Sequence, residues 1–185
     1  MKDPMHKTLP FLLAFVFLTF SACDSTDPGD GDGPGEEELI TRVVLTLTGG
    51  GETRTATASD PDGDGTNFEI DPIVLAAGTT YTGTIALFDD VNDENITEEI
   101  EEEDDEHQFF YTVAGAAADR VTVTITDRDE NGLPVGLAFT VDVSAGGAGA
   151  GTLNVVLSHF DDEPKTGTTR SDETDVDVTF PLTIE

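Results

Sequence analysis

Tryptophan is absent, tyrosine occurs twice and cysteine once, and 8 Lys and Arg stand against 39 Asp and Glu. Each shortage excludes something. A single cysteine, Cys23, allows no disulfide within the chain. A formal net charge of -31 argues against nucleic acid and anionic lipid headgroups as partners. Such a charge repels itself unless salt screens it, over about 3 Å at 1 M against about 10 Å at 0.1 M, so the composition suits life in high salt. Without Trp no aromatic-lined cleft is readable, and carboxylates are too abundant for any glycosidase-like pair to carry information. No G-x-S-x-G elbow occurs, and Gly146–Gly151 lacks the Lys and following helix of a phosphate loop. No repeat of about 20–50 residues is present. The expectation is a protein that is not an enzyme.

What is present begins with a targeting pattern. Lys2 and Lys7 precede an apolar run, Pro10–Phe20, which is too short to span a bilayer and suits a secretory h-region. Phe20-Ser21-Ala22-Cys23 resembles a bacterial lipobox, with Phe20 where leucine is more usual. Residues 1–22 are therefore expected to be a lipoprotein signal peptide and Cys23 the acylated residue, the alternative being an ordinary signal peptide with a spare thiol. Residues 23–38, rich in Gly, Pro, Asp and Glu, are expected to form a disordered acidic tether. Acids directly after the cysteine resemble surface-export signals. The expected location is the cell envelope, as an outer-membrane lipoprotein facing the periplasm or the cell surface.

Residues 39–185 are expected to fold as one domain. Val43, Leu45 and Leu47 alternate with polar residues, and Gly49-Gly50-Gly51 turns the chain into a Thr-rich return strand, Glu52–Ser59. Asn67–Leu75 is a strand broken at Pro72. Arg120–Thr126 and Val135–Val143 make a hairpin, and Val176 to Ile184 close the fold, with Pro181 suiting an edge or a bulge. Eight of the nine residues from Glu98 to Glu106 are acidic. Asn95 caps this stretch with Glu98 as reciprocal partner, and Ile96 and Ile100 lie one turn apart. The pattern predicts an all-β, Ig-like antiparallel β-sandwich with one short acidic helix running into the strand Gln108–Val113.

The segments TEEIEEEDDEHQFFY, TYTGTIAL, DPDGDG, DRDENGLPVGL and GTLNVVLSH together resemble a group of small lipoproteins of Bacteroidota and related marine or halophilic bacteria. Members are often labelled "type 1 periplasmic binding fold superfamily protein". The resemblance covers about residues 37–185 and implies a cell-envelope lipoprotein. It implies no activity and no catalytic residues. The label's two α/β lobes require repeated crossover helices, which this chain does not show.

Three constellations can hold cations. Asp60, Asp62 and Asp64, followed by Gly65, space three carboxylates as in the first half of a calcium loop, with Asp71 at the twelfth position. Asp127, Asp129 and Asn131 before Gly132 repeat the form more weakly, and Asp, Asn and Gly also simply make good turns. His107 and His159 have core-facing parity at strand ends, each beside acids: Glu103 and Glu106 for the first, Asp161 and Asp162 for the second. If their strands are neighbours, two imidazoles and a carboxylate such as Glu103 or Glu106 suit zinc; otherwise each is a separately bonded histidine.

The chain is thus expected to be a non-enzymatic envelope binding module for a metal ion, calcium or zinc, or for a small solute. Its expected partners are the membrane, through the lipid on Cys23, and an outer-membrane receptor. The alternative is a structural or adhesive envelope protein with no small ligand.

Overall fold

The computed structural model describes residues 39–61, 63, 68–160 and 163–185. The chain forms β1 (Arg42–Gly49), β2 (Glu52–Ser59), β3 (Glu69–Ile70), β4 (Ile73–Leu75) and β5 (Thr80–Phe88). Then come α1 (Ile96–Glu102), β6 (His107–Gly115), β7 (Val121–Ile125), β8 (Ala138–Val143), β9 (Gly149–His159) and β10 (Glu173–Ile184). One sheet has the order β3-β2-β1-β5-β8-β7 and the other β4-β10-β9-β6. This is the all-β sandwich that the alternation predicts.

Alternation makes the layers. On β1, Val43, Leu45 and Leu47 are buried, and on β10 every second residue from Val176 to Ile184 is buried. Tyr81, Phe109, Phe139 and Phe180 fill the core with almost no exposure. Each large apolar side chain so buried contributes roughly 1.5–3 kcal/mol, which lets a domain of this size stand without a disulfide. At the β1–β2 turn both Gly50 and Gly51 have positive φ, as a two-residue hairpin of this kind requires.

Gly83 on β5 lies opposite Phe139 of β8, and a Cβ built there would fall 2.2 Å from the ring. Phe139 is itself packed against the Tyr111 ring, centroids 4.6 Å apart and planes tilted by 41°, and cannot swing aside freely. Gly83→Ala is therefore expected to cost about 1–3 kcal/mol through overpacking. Urea denaturation checks this; an unchanged midpoint would show that the ring has room to move.

Several elements depart from the sequence pattern. The Asn67–Leu75 stretch divides at Asp71-Pro72: β3 joins the first sheet through Ala58 and Ser59, and β4 joins the second. Proline supplies no ladder N–H, so the chain leaves one sheet there and enters the other. β4 pairs parallel to β10, at Leu182–Ile184 only. The last strand is therefore interior to its sheet where β4 covers it, and Pro181 sits just before that cover. The Gly/Ala segment after β8 is held: Arg120 donates to the carbonyl oxygens of Ser144 and Gly147.

The helix forms as expected but is capped differently. Asn95 makes no side-chain bond to the helix backbone; its Nδ2 donates to Glu98 Oε1 at 2.8 Å. Thr97 fixes α1 to β5, its hydroxyl accepting from Leu87 N at 2.8 Å and donating to Leu87 O at 3.1 Å. Ile96 and Ile100 are buried. Glu101 to Glu106 are all acidic with no base in the last turn, which opposes the negative end of the helix dipole, and α1 stops at Glu102. The turn that follows delivers His107 as the first residue of β6. With one helix and one parallel pair among the described residues, the architecture is not that of a two-lobed α/β binding protein.

Candidate metal centre

β6, β9 and β10 are adjacent, and three chemistry-bearing residues meet where they begin or end. His107 opens β6 directly opposite His159, the last residue of β9. β10 pairs Glu173 with His159 and Thr174 with Ser158, and the register then slips so that Val176 faces Leu157. Asp175 is the extra residue of this bulge. Strict alternation would send it outward with Asp177 and Thr179; the bulge turns it inward, and its side chain is 0% exposed.

The group is close-packed. The imidazoles of His107 and His159 are stacked, with centroids 4.4 Å apart and planes 20° apart. Asp175 reaches both: Oδ2 lies 3.8 Å from His107 Nε2, and Oδ1 lies 3.8 Å from His159 Nδ1. His107 is 0% and His159 4% exposed. On the far side of the first ring, His107 Nδ1 lies 3.1 Å from the Glu103 carbonyl oxygen. A carbonyl can only accept, so Nδ1 carries the proton, and in the neutral ring the lone pair sits on Nε2, toward Asp175. A backbone acceptor on one imidazole nitrogen is the usual device that orients a ligating histidine.

Together His107, His159 and Asp175 form a buried group that can hold a metal ion, their donor atoms all lying within 4.8 Å of one another. Two donors each about 2.0–2.1 Å from zinc stand about 3.4 Å apart at the tetrahedral angle. With one donor atom taken from each residue, the three lie within 4.8 Å of one another, so they must draw together to seat the ion. No family model, no curated protein and no solved structure matches this chain.

The structure thus brings together His107 and His159 as the sequence suggested, and replaces the expected carboxylates. The Glu103 carboxylate lies 4.0 Å from Nδ1, the protonated nitrogen, and is 49% exposed. Glu106 is outside the group, and its carbonyl accepts the Phe160 N–H at 2.7 Å. Asp175 was not legible, because nothing in Asp172-Glu173-Thr174-Asp175-Val176-Asp177 distinguishes it from its acidic neighbours.

The other sequence candidates are placed differently. Asp60 is buried, its N–H donating to Thr41 O at 2.7 Å and its carbonyl accepting from Gly63 N. Asp71 is exposed and its carboxylate accepts the Thr57 N–H at 3.1 Å, closing the flank of β2. Asp62, Asp64, Asp161, Asp162 and Cys23 lie outside the described residues. In the β7–β8 loop the Asp127 carboxylate accepts from Gly136 N and Ala138 N, and Asp129 accepts from Leu133 N. These oxygens serve the loop's own backbone, as Asp side chains do in a turn.

The segment linking His159 to Asp175 is pinned from outside. Lys165 is buried, with Nζ 3.0 Å from Asp129 Oδ2 and donating to the Asp104 carbonyl at 2.6 Å. Gln108 Nε2 donates to Gly167 O at 3.2 Å, and the Arg170 guanidinium lies 5.7 Å above the Phe110 ring. Burial and the nearby Asp129 push the Asp104 carboxyl upward, while Lys165 pulls it down less strongly. One lysine therefore ties the acidic turn, the β7–β8 loop and the segment before β10 to each other.

Proposed function

We propose that this chain is a cell-envelope lipoprotein, anchored through Cys23, whose sandwich is a non-enzymatic module binding one divalent transition metal ion, zinc before others, at His107, His159 and Asp175. The observation that supports this most is the juxtaposition itself: three donors from three adjacent strands, on the buried face of one sheet, with the His107 lone pair directed at Asp175. Two imidazoles and one carboxylate suit zinc and its first-row neighbours better than calcium or magnesium, which take oxygen ligands. Burial of the donors favours a resident ion over a passenger handed to a receptor. The signal-like amino terminus, the lone cysteine and the resemblance to envelope lipoproteins support the placement.

Calorimetric titration of the purified, metal-stripped chain is expected to show one zinc ion per chain at micromolar affinity or tighter, with no comparable heat from magnesium. A flat zinc titration at micromolar protein would end this reading.

A further inference from the structure

The three donors come from one face of one sheet. Neighbouring strands stand about 4.7–4.9 Å apart, and side chains leave the sheet roughly along its normal. His107, His159 and Asp175 therefore approach an ion from the sheet side, leaving its other side to be filled from elsewhere. Among the described residues no fourth His, Cys, Asp or Glu joins the group. Glu103, the nearest acid on the preceding turn, reaches the nitrogen of His107 that faces away from Asp175. Ser158 and Gln108, also buried, alternate with the histidines along β9 and β6 and so belong to the opposite face of the sheet. A tetrahedral ion needs four donors, and closed structural zinc sites take all four from protein.

Resting on the metal-binding reading, we infer that this is an open centre: the ion keeps one exchangeable position, filled by a small exogenous oxygen or nitrogen donor. Burial of His107 and His159 at 0% and 4% exposure limits that donor to something near the size of water. The exposed Glu103 carboxylate beside the site and the net charge of -31 disfavour an anion at low salt, so water is the resident ligand. A small anion enters when salt screens those charges. The centre therefore has the ligand-exchange chemistry of a Lewis-acid site, whereas a four-residue clip would have none.

Zinc is spectroscopically silent, so the test substitutes cobalt(II) in the full-length chain and follows its visible d–d bands. Sodium azide is added in about 1 M sodium perchlorate, a weakly coordinating salt that shortens the screening length to about 3 Å. The expected result is a saturable change in band position and intensity with azide, with the bands absent from the Asp175→Asn chain. Cobalt bands that azide leaves unchanged would show no position open to an exogenous donor, overturning this inference while leaving metal binding intact. Bands that persist undiminished in Asp175→Asn, at the cobalt concentration that just saturates the parent, would place the cobalt elsewhere. Failure to bind cobalt at all would remove both the open position and the metal-binding reading.

Discussion

Lys165→Met is expected to destabilise the domain by about 3–5 kcal/mol, the usual cost of leaving one half of a buried ion pair uncompensated. Lys165 and Asp129 have side chains 2% and 0% exposed, and they meet at 3.0 Å. Methionine keeps most of the lysine's volume, so the loss isolates the charge. Adding Asp129→Asn is expected to recover most of it, since the second change removes the stranded carboxylate and keeps an acceptor for the Leu133 N–H. Urea unfolding of the parent, the single and the double variant measures the effect; a Lys165→Met midpoint equal to the parent's would show that the pair contributes nothing. The exposed pairs make the contrast. Arg42 and Asp90 meet at 2.7 Å with side chains 31% and 53% exposed, and their contribution fades with salt, whereas the buried pair's persists.

The same pair sets an acid dependence. Burial alone pushes the Asp129 carboxyl up, but Lys165 and the Leu133 N–H together outweigh it and hold the group below its ordinary value. A carboxyl lowered in the folded state binds its proton more readily when unfolded. Its contribution is therefore fully present above the ordinary Asp range, near about 3.9, and is lost as pH falls through the lower folded value. The Lys165→Met chain should lack this component of the acid unfolding profile.

Asp175→Asn is expected to weaken zinc binding by at least roughly a hundredfold, since even residues that merely support metal ligands commonly cost about 10–100-fold. Asparagine preserves shape and leaves a weaker neutral oxygen between the two imidazoles. Because the ion binds the folded chain, zinc at about a hundred times its dissociation constant should stabilise the parent by about 2.7 kcal/mol. The variant should gain almost none of this at the same zinc concentration. Thermal melts with and without zinc, alongside calorimetry, separate binding from folding. A variant that keeps the parent's affinity would exclude Asp175 as a ligand.

Local chemistry was legible wherever period and turn residues act on their own stretch. Val43, Leu45 and Leu47 read as one face of a strand and are buried as such; Gly50 and Gly51 turn the hairpin; Ile96 and Ile100 mark the helix. His107 and His159 had core parity in the sequence, and both are buried. Lys165, the one lysine of the folded part, carried no sign that it would be buried, because its partner Asp129 is distant in sequence and adjacent only through the β7–β8 loop.

By itself the sequence determined the class of fold, because side-chain alternation and glycine turns are short-range and each strand declares its own buried face. Only the tertiary structure decided which strands became neighbours, that Asp71-Pro72 carries the chain from one sheet to the other, and that Asp175 joins the two histidines. A bulge shifts parity by one residue through the hydrogen-bond ladder to a partner strand. That ladder is long-range, so the inward turn of Asp175 leaves no trace in the residues around it.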